Sequence, residues 1–347
     1  MYVDEQFDLK ILFFFAWRNL VQATVVSAAI YYGYEWMGWK FLSVPFVPVA
    51  TIGTAVAFYV GFKNNSSYER LWEARRIWGA ITNVSRAFAA AVLGICGNNT
   101  AAARELVYRQ IAWVNALRLQ LRRQPIWHRM TKSESRLSLE YIEQVEGTDE
   151  HVGATAKREA TFDKEMRQIL TQFVPPKECE ALVPLIAAKG NIANHLLRQQ
   201  ADCLTRAKRN GVLDGWEHAE LLRHVTECFA QQGGCERIKT FPFPRQYAYF
   251  SGVFVKIFIF LVPFGLVSEM AKLGRGASWL VIPFSVLIAW VFYTMEQVGD
   301  SSEDPFENAI NDVPLNTICR NIEVDLRDLL AETNLPPRLQ PKDGFLL

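Results

Sequence analysis

Apolar positions in this chain are concentrated in four long segments that come in two close pairs. Each segment holds at most one charged residue and is about as long as the roughly 20 helical residues that cross a bilayer. The segments are Ile11 to Tyr34, Phe41 to Phe62, Gln246 to Ser268 and Gly276 to Met295. One buried helix of a soluble protein can imitate such a segment, but four of them in pairs indicate membrane helices.

Aromatic residues flank the four segments, as is typical of side chains at the level of the lipid headgroups. Residues 35–40 and 269–275 are short linkers, so each pair is predicted to form an antiparallel hairpin. Basic residues near the segment ends concentrate on the side of the long middle region. The positive-inside rule therefore places that region and both termini in the cytoplasm, and predicts a multi-pass protein of the cell (inner or plasma) membrane.

The segments divide the chain into four parts. These are an N-terminal segment with the first hairpin (1–62), a helical cytoplasmic region (63–245), the second hairpin (246–297) and a cytoplasmic C-terminal segment (298–347). An apolar stripe with helical spacing continues from the second span past residue 63 without a helix breaker. Residues 124–162 are polar and predict a looser excursion, and a last helix is expected from about Leu315 to Glu332. The predicted fold class is an all-α membrane protein with four transmembrane helices.

Composition and residue spacing exclude several function classes. The 347 residues carry 37 basic and 36 acidic side chains, and the mean hydropathy is +0.03, so no global charge attracts nucleic acid. The six Cys and five His show no metal-ligand spacing, and no metal or other cofactor is predicted. Because no nucleophile–base pattern or Gly-rich phosphate loop is present, an enzyme is not expected.

The second apolar segment carries the most informative pattern. Thr54, Phe58 and Phe62 are spaced by four and share one helix face. A row of small residues, Gly53, Ala57 and Gly61, lies beside them. One interpretation is ordinary packing against neighbouring helices. The other is that copies of this helix surround an axis and form a hydrophobic constriction that gates by dewetting. Four spans of one chain do not easily enclose an aqueous pore, so the second interpretation requires a symmetric oligomer.

Three stretches of the sequence resemble the bestrophin family, especially its prokaryotic branch. They are GFKNNSSYERLWEARRIWG after the second span, GGCERIKTFPFPRQY before the third and EDPFENAINDVPLNTICRNIEVDLRDL after the fourth. The resemblance implies a homopentamer in membrane lipid that conducts monovalent ions through a single central pore. It also implies that the second helix lines a narrow hydrophobic neck, at Thr54, Phe58 and Phe62.

The resemblance further implies a second constriction in the cytoplasmic region, near the start of a helix. The matching stretch is ANHLL, with His195 at the narrow position and Asn194 and Leu196 as the alternatives one residue away. A purely structural interpretation also remains open. In that case His195 is the N-terminal residue of a helix, beside Asn191 and Asn194 as capping residues.

Two departures from the family pattern matter. Animal bestrophins follow the fourth span with an acidic calcium clasp after a Pro-Phe pair, whereas Ala309 and Ile310 stand here where acids are expected. The remaining Glu303, Asp304, Asn311 and Asp312 are too few for the six to eight oxygen ligands of calcium. Asp304 and Asp312 are instead predicted to stabilise a turn or cap a helix. The other departure is Thr54, whose side chain carries a hydroxyl group where the neck is expected to be apolar.

Selectivity is predicted from the chemistry of the aromatic residues. Phenyl rings have a positive edge, so Phe58 and Phe62 placed edge-on to a pore favour anions such as chloride. The alternatives are a Na⁺- or K⁺-conducting channel of the same architecture and a membrane-anchored scaffold without conduction.

Two sets of charges remain. The cluster of Arg70, Glu73, Arg75 and Arg76 could bind an anion, but its interleaved signs favour a structural ion-pair network. In that network Glu73 pairs with Arg76, or Glu69 pairs with Arg76 and with neighbours across helices. Lys256 stands alone inside the third span, where a charge faces protein, faces a cavity or snorkels to the interface. Pairing with an acid of a neighbouring helix is one expected solution.

Overall fold

The computed structural model describes residues 9–97, 101–123, 151–274, 276–308, 311–341 and 346 of the chain, and the side chains of residues 9–16 and 151–159 lie outside this description. The described part contains ten α-helices and no strand. They are α1 (Leu9–Glu35), α2 (Phe46–Cys96), α3 (Ala101–Arg122), α4 (His151–Phe173), α5 (Pro176–Ala187), α6 (Ile192–Arg209), α7 (Gly215–Thr240), α8 (Arg245–Lys272), α9 (Val281–Glu303) and α10 (Leu315–Leu329). The predicted all-α fold class is confirmed.

The helices fall into two compact units. The four-helix unit consists of Asp4–Arg70 and Pro242–Asp304, and the large helical unit contains Leu71–Phe241 and Pro305–Leu347. The division lies near the segment boundaries expected from the sequence, after residues 62, 245 and 297. Helix α2 contributes its first half to the four-helix unit and its second half to the large helical unit.

The four-helix unit contains α1, the first half of α2, α8 and α9. Helix α1 packs against both α8 and α9, and α8 packs against α9. Its core is aliphatic and aromatic, with residues such as Ile30, Val60, Phe258 and Val281 from the four helices. The hydroxyl group of Ser278 donates a hydrogen bond of 3.1 Å to Glu35, which joins the end of α1 to the segment between α8 and α9.

Three helices of the described part are long and apolar enough to cross a membrane. They lie within Lys40–Cys96, Arg245–Lys272 and Ser278–Glu303. These ranges contain the second and third predicted spans and all of the fourth except its first two residues. The first predicted span lies in α1, which has 27 residues and is therefore about 40 Å long. The start of that span belongs to the residues whose side chains are outside the description.

The large helical unit has one extensive core built from the second half of α2 and from α3 to α7 and α10. Trp78, Phe88, Trp113 and Leu117 are fully buried in it. The buried guanidinium of Arg109 on α3 donates hydrogen bonds to Glu105, Glu178 and Gln200. A buried charge needs such partners because desolvation penalises it.

The expected looser excursion over residues 124–162 is wrong in its last part. Helix α4 begins at His151 and includes residues 151–162, while residues 124–150 lie outside the description.

Candidate pore

Helix α2 buries one stripe of side chains along its whole length. In its first half the stripe consists of Val49, Gly53, Val56, Val60 and Lys63. These positions alternate by three and four residues, which is the spacing of one helix face. In its second half the predicted stripe continues through residues 71, 74, 77, 78, 81 and 84, which are buried, whereas Trp72 is exposed.

The three predicted neck residues lie away from this stripe. Phe58 and Phe62 are 64% and 65% exposed, and Thr54 is exposed as well. The Thr54 hydroxyl donates a 3.0 Å hydrogen bond to the backbone carbonyl of Ala50, so it is already satisfied by its own helix. The structure therefore brings the three side chains onto one unpacked face of α2, two of them large and apolar.

The small-residue row beside them does not act as one packing surface within the chain. A Cβ atom at Gly53 would lie 2.5 Å from the ring of Phe258 on α8, so glycine is required for this close approach. Gly61 is exposed, and a Cβ atom there would meet no atom within 4 Å. Within the chain the packing interpretation thus holds for Gly53 and not for Gly61.

A buried charge cluster lies next to the neck and was missed by sequence reasoning. Lys63 follows Phe62 directly but points into the four-helix unit, where its side chain is 0% exposed. Its Nζ atom lies 2.7 Å from Glu296 and 2.5 Å from Asp300 on α9. The Ser251 hydroxyl of α8 donates to the other carboxylate oxygen of Glu296 at 2.6 Å.

The cluster joins the pore-lining candidate helix to two neighbours. Asn64 adds a 2.9 Å hydrogen bond to the carbonyl of Met295, and Gly299 leaves room for the Asn64 side chain. One signal was available in the sequence: Lys63 has the spacing of the apolar stripe of α2, and Glu296 and Asp300 are spaced by four at the end of the last apolar helix. The positive-inside argument counts Lys63 only among the basic residues that flank the second span.

The three aperture candidates lie at the start of α6. Asn191 caps this helix by accepting a 2.9 Å hydrogen bond from the backbone N–H of Asn194. Asn194 is exposed, His195 is partly exposed and Leu196 is completely buried in the core of the large helical unit. Of the three candidates, only Asn194 and His195 therefore present side chains at the surface. Asn191 caps the helix, as the structural interpretation expects, and Asn194 supplies the N–H group that it caps.

Asp312 organises the loop after α9. Its carboxylate is buried and accepts hydrogen bonds from the backbone N–H groups of Phe306, Asn308 and Val313 at 2.8, 2.7 and 2.6 Å. Phe306 and Asn308 both have positive φ angles, 81° and 64°, in the left-handed region, so the carboxylate holds a backbone shape that is otherwise unfavourable. Burial raises the pKa of Asp312, and the three N–H donors partly counteract this effect.

The other loop residues have separate environments. Asp304 is the C-cap residue of α9, and its carboxylate lies 3.9 Å from Arg70. Asn311 is partly exposed. Ala309 and Ile310 lie outside the described residues. The turn role predicted for Asp312 is confirmed, and the role predicted for Asp304 stays a prediction.

The predicted ion-pair network near the start of the large helical unit has different partners. Among the described residues Glu73 pairs with Arg237 of α7, not with Arg76. Arg75 lies over the ring of Trp72, with 5.8 Å between the guanidinium carbon and the ring centroid. The pairing of Glu73 with Arg76, one of the alternatives left open, was wrong because Arg237 of another helix comes closer to Glu73.

Together the apolar helices and the unpacked aromatic face of α2 define an all-helical membrane protein. The family described as Bacterial/Fungal Bestrophin protein matches residues 10–328. The chain therefore belongs to this bestrophin family of transmembrane ion-transport proteins, and the resemblance drawn from the three sequence stretches is confirmed.

Individual relatives agree with this assignment. The Voltage-dependent anion channel-forming protein YneE of Escherichia coli K12 is 27% identical over 315 residues, which cover 90% of this chain and 85% of the relative. The Voltage-dependent anion channel-forming protein RSc3414 of Ralstonia nicotianae is 29% identical over 290 residues, or 83% and 78% of the two chains. A crystal structure of a bacterial bestrophin homologue from Klebsiella pneumoniae matches with a TM-score of 0.72 at 23% identity, over 91% of this chain and 98% of that one. This likeness shows a shared fold.

Proposed function

We propose that the chain forms a homopentameric channel that conducts monovalent anions such as chloride through a central pore lined by α2. Its neck consists of Thr54, Phe58 and Phe62. The observation that carries the proposal is the exposure of Phe58 and Phe62, on the face of α2 turned away from the buried stripe. These two large apolar side chains lie about one helical turn apart on an unpacked face of α2, which is the surface that the proposed pore uses.

The names of the relatives support an anion as the conducted ion and a channel as the class of protein. The Escherichia coli and Ralstonia nicotianae proteins are both named as voltage-dependent anion channel-forming proteins. These names point away from a catalytic role. Phenyl rings presented edge-on offer partial positive charge to an anion, whereas aliphatic side chains of the same size do not. The Thr54 hydroxyl groups of the five subunits form a ring, and this part of the pore is more easily wetted than one lined by an apolar residue.

The second constriction is proposed at the start of α6, at His195 and Asn194. The N-terminus of an α-helix carries a partial positive charge, which favours anions passing close to it. Leu196 is not part of this proposal because its side chain is buried. The proposed topology places both termini and residues 63–245 in the cytoplasm, with the helices in the inner or plasma membrane.

The decisive test is the reversal potential of the purified protein in planar bilayers with a KCl gradient. An anion channel gives a reversal potential close to the chloride equilibrium potential. A value close to the potassium equilibrium potential would show a cation channel of the same architecture. Absence of current from protein that elutes as an intact oligomer would favour the scaffold interpretation.

A further inference from the structure

Charged residues of the four-helix unit differ in how their charge is neutralised. Lys63 lies close to both Glu296 and Asp300, whereas Lys256 and Glu69 form no ion pair with another described residue. The acid that was expected to pair with Lys256 is therefore not found among the described residues. Glu69 is the more informative of the two because it belongs to α2, the helix that is proposed to line the pore.

Glu69 shares the unpacked face of α2 with the proposed neck. It follows Phe62 by seven residues, which is two helical turns less about 20°, so the two side chains leave the helix in nearly the same direction. Both side chains are exposed. At 1.5 Å per residue the two positions are about 10 Å apart along the helix. In a channel built on this face of α2, Glu69 therefore lies just beyond the neck, on its cytoplasmic side.

The carboxylate of Glu69 is held by its own helix and is not neutralised by a cation of the described chain. The side-chain amide of Asn65, which is also exposed, donates a hydrogen bond of 3.1 Å to Oε1 of Glu69. Arg70, the next residue, lies 3.9 Å from Asp304. The pairing of Glu69 with Arg76 that the sequence left open is not found among the described residues. An amide partner positions the carboxylate and leaves its negative charge in place.

Distance and salt screening determine which charge acts on an ion in the neck. Arg76 follows Glu69 by a further seven residues of α2 and is also exposed, so it lies about 21 Å from Phe62 along the helix. The Debye length is about 10 Å at 0.1 M salt. Because the Coulomb energy falls with distance and screening adds to this decrease, Glu69 acts several times more strongly on the neck than Arg76 does.

We propose that Glu69 limits the flow of anions through the neck. The inference rests on the proposed pentameric pore, in which five copies of α2 place five Glu69 carboxylates in one ring. The ring repels chloride and attracts cations, so it opposes the preference for anions that the phenyl edges of Phe58 and Phe62 provide. Five charges at this distance lower the chloride occupancy of the neck about threefold at 0.1 M salt. At 1 M salt the Debye length is about 3 Å, and the effect disappears.

The test is single-channel recording from purified protein in planar bilayers at 0.1 M and at 1 M KCl. The variants are Glu69→Gln, which keeps the size of the side chain without its charge, and Glu69→Asp, which keeps the charge. The matched control is Glu227→Gln on α7, because Glu227 is an exposed glutamate that also accepts a hydrogen bond from an amide four residues away, that of Gln231.

For Glu69→Gln we expect about threefold higher chloride conductance at 0.1 M KCl and a higher chloride-to-potassium permeability ratio, with no difference from wild type at 1 M KCl. Glu69→Asp and Glu227→Gln should conduct like wild type at both concentrations.

Equal conductance of wild type and Glu69→Gln at 0.1 M KCl would overturn this inference and leave the proposed anion channel standing. An increase of the same size at both salt concentrations would also overturn it, since the substitution then changes the width of the pore and not its field. So would a fall in oligomer mass for Glu69→Gln with unchanged conductance of the remaining pentamers, which would place the carboxylate between neighbouring copies. Absence of current from wild type, or reversal at the potassium equilibrium potential, would contradict the proposed function and this inference with it.

Discussion

At the scale of single residues, Phe58 and Phe258 provide a natural comparison. Both are phenylalanines of the four-helix unit, yet Phe58 is largely exposed while Phe258 is buried against Gly53 and Phe292. A truncation to alanine therefore removes an unpacked surface group in one case and creates a cavity in the other. This difference separates a pore-lining role of Phe58 from a packing role.

For Phe58→Ala we expect a folded oligomer with higher conductance and a weaker preference for anions over cations. Removing the ring widens the neck and reduces the apolar area that opposes wetting, and exposing or burying such a side chain is worth roughly 1.5–3 kcal/mol. Single-channel conductance and the reversal potential in a KCl gradient are the measurements. Wild-type conductance together with an unchanged reversal potential would remove Phe58 from the pore.

The control for this experiment is Phe258→Ala. Its cavity in the core should cost about 3–5 kcal/mol of stability. We therefore expect poor assembly and a lower unfolding temperature, with unchanged selectivity in the protein that remains. If Phe58→Ala behaves in the same way, Phe58 packs against another part of the assembly instead of facing water.

Lys63 is the second residue whose role depends on its surroundings. Removing one partner of a buried ion pair leaves the other charge uncompensated, which costs about 3–5 kcal/mol. Lys63→Met leaves Glu296 and Asp300 in this state, so we expect a strong loss of thermal stability in detergent. Adding Glu296→Gln and Asp300→Asn to Lys63→Met should recover most of the loss.

The exposed pair of Lys272 and Glu269 serves as the control for the charge effect. Exposed ion pairs contribute roughly 0–1 kcal/mol, so Lys272→Met should change the unfolding temperature little. If Lys63→Met is as mild as Lys272→Met, the charges of the buried cluster do not hold α2 against α9.

At the scale of elements, the loop between α9 and α10 is the segment in which the family resemblance implies a calcium clasp for animal bestrophins. Both carboxylate oxygens of Asp312 accept backbone hydrogen bonds within the loop, so this side chain is committed to the turn. Asp304 lies near Arg70, whose positive charge opposes a cation. Among the described residues no group of three or more His, Cys, Asp or Glu side chains converges to hold a metal ion.

We therefore predict that conduction does not need calcium. Currents from protein in liposomes should be similar with a chelator and with micromolar calcium, measured on the same preparation. A large increase on adding calcium would show that the loop or another part of the assembly binds the ion.

At the scale of the whole molecule, the prediction concerns the number of subunits. The proposed pore requires several copies of α2 around one axis, which a single chain does not provide. We expect purified protein in mild detergent to have the mass of a pentamer of the 39.6 kDa chain, by light scattering corrected for bound detergent. A monomer or dimer under conditions that preserve the fold would contradict the proposed pore.

The sequence by itself determined the apolar helices, the continuation of α2 beyond the second span and the capping role of Asn191. Hydrophobic periodicity and local hydrogen bonding depend on residues a few positions apart, and these are visible in a linear chain. The unpacked face of Phe58 and Phe62 was also predicted as one face of a helix, although the spacing did not distinguish packing from exposure.

Only the tertiary structure decided the contacts between distant segments. Lys63 meets Glu296, Gly53 meets Phe258 and Glu73 meets Arg237, each across many residues of chain. Burial of Leu196 separated it from Asn194 and His195, its neighbours in sequence. The physical reason is that periodicity fixes which side of a helix is apolar, whereas the partner of each side chain depends on how helices pack, and local spacing carries no information about that.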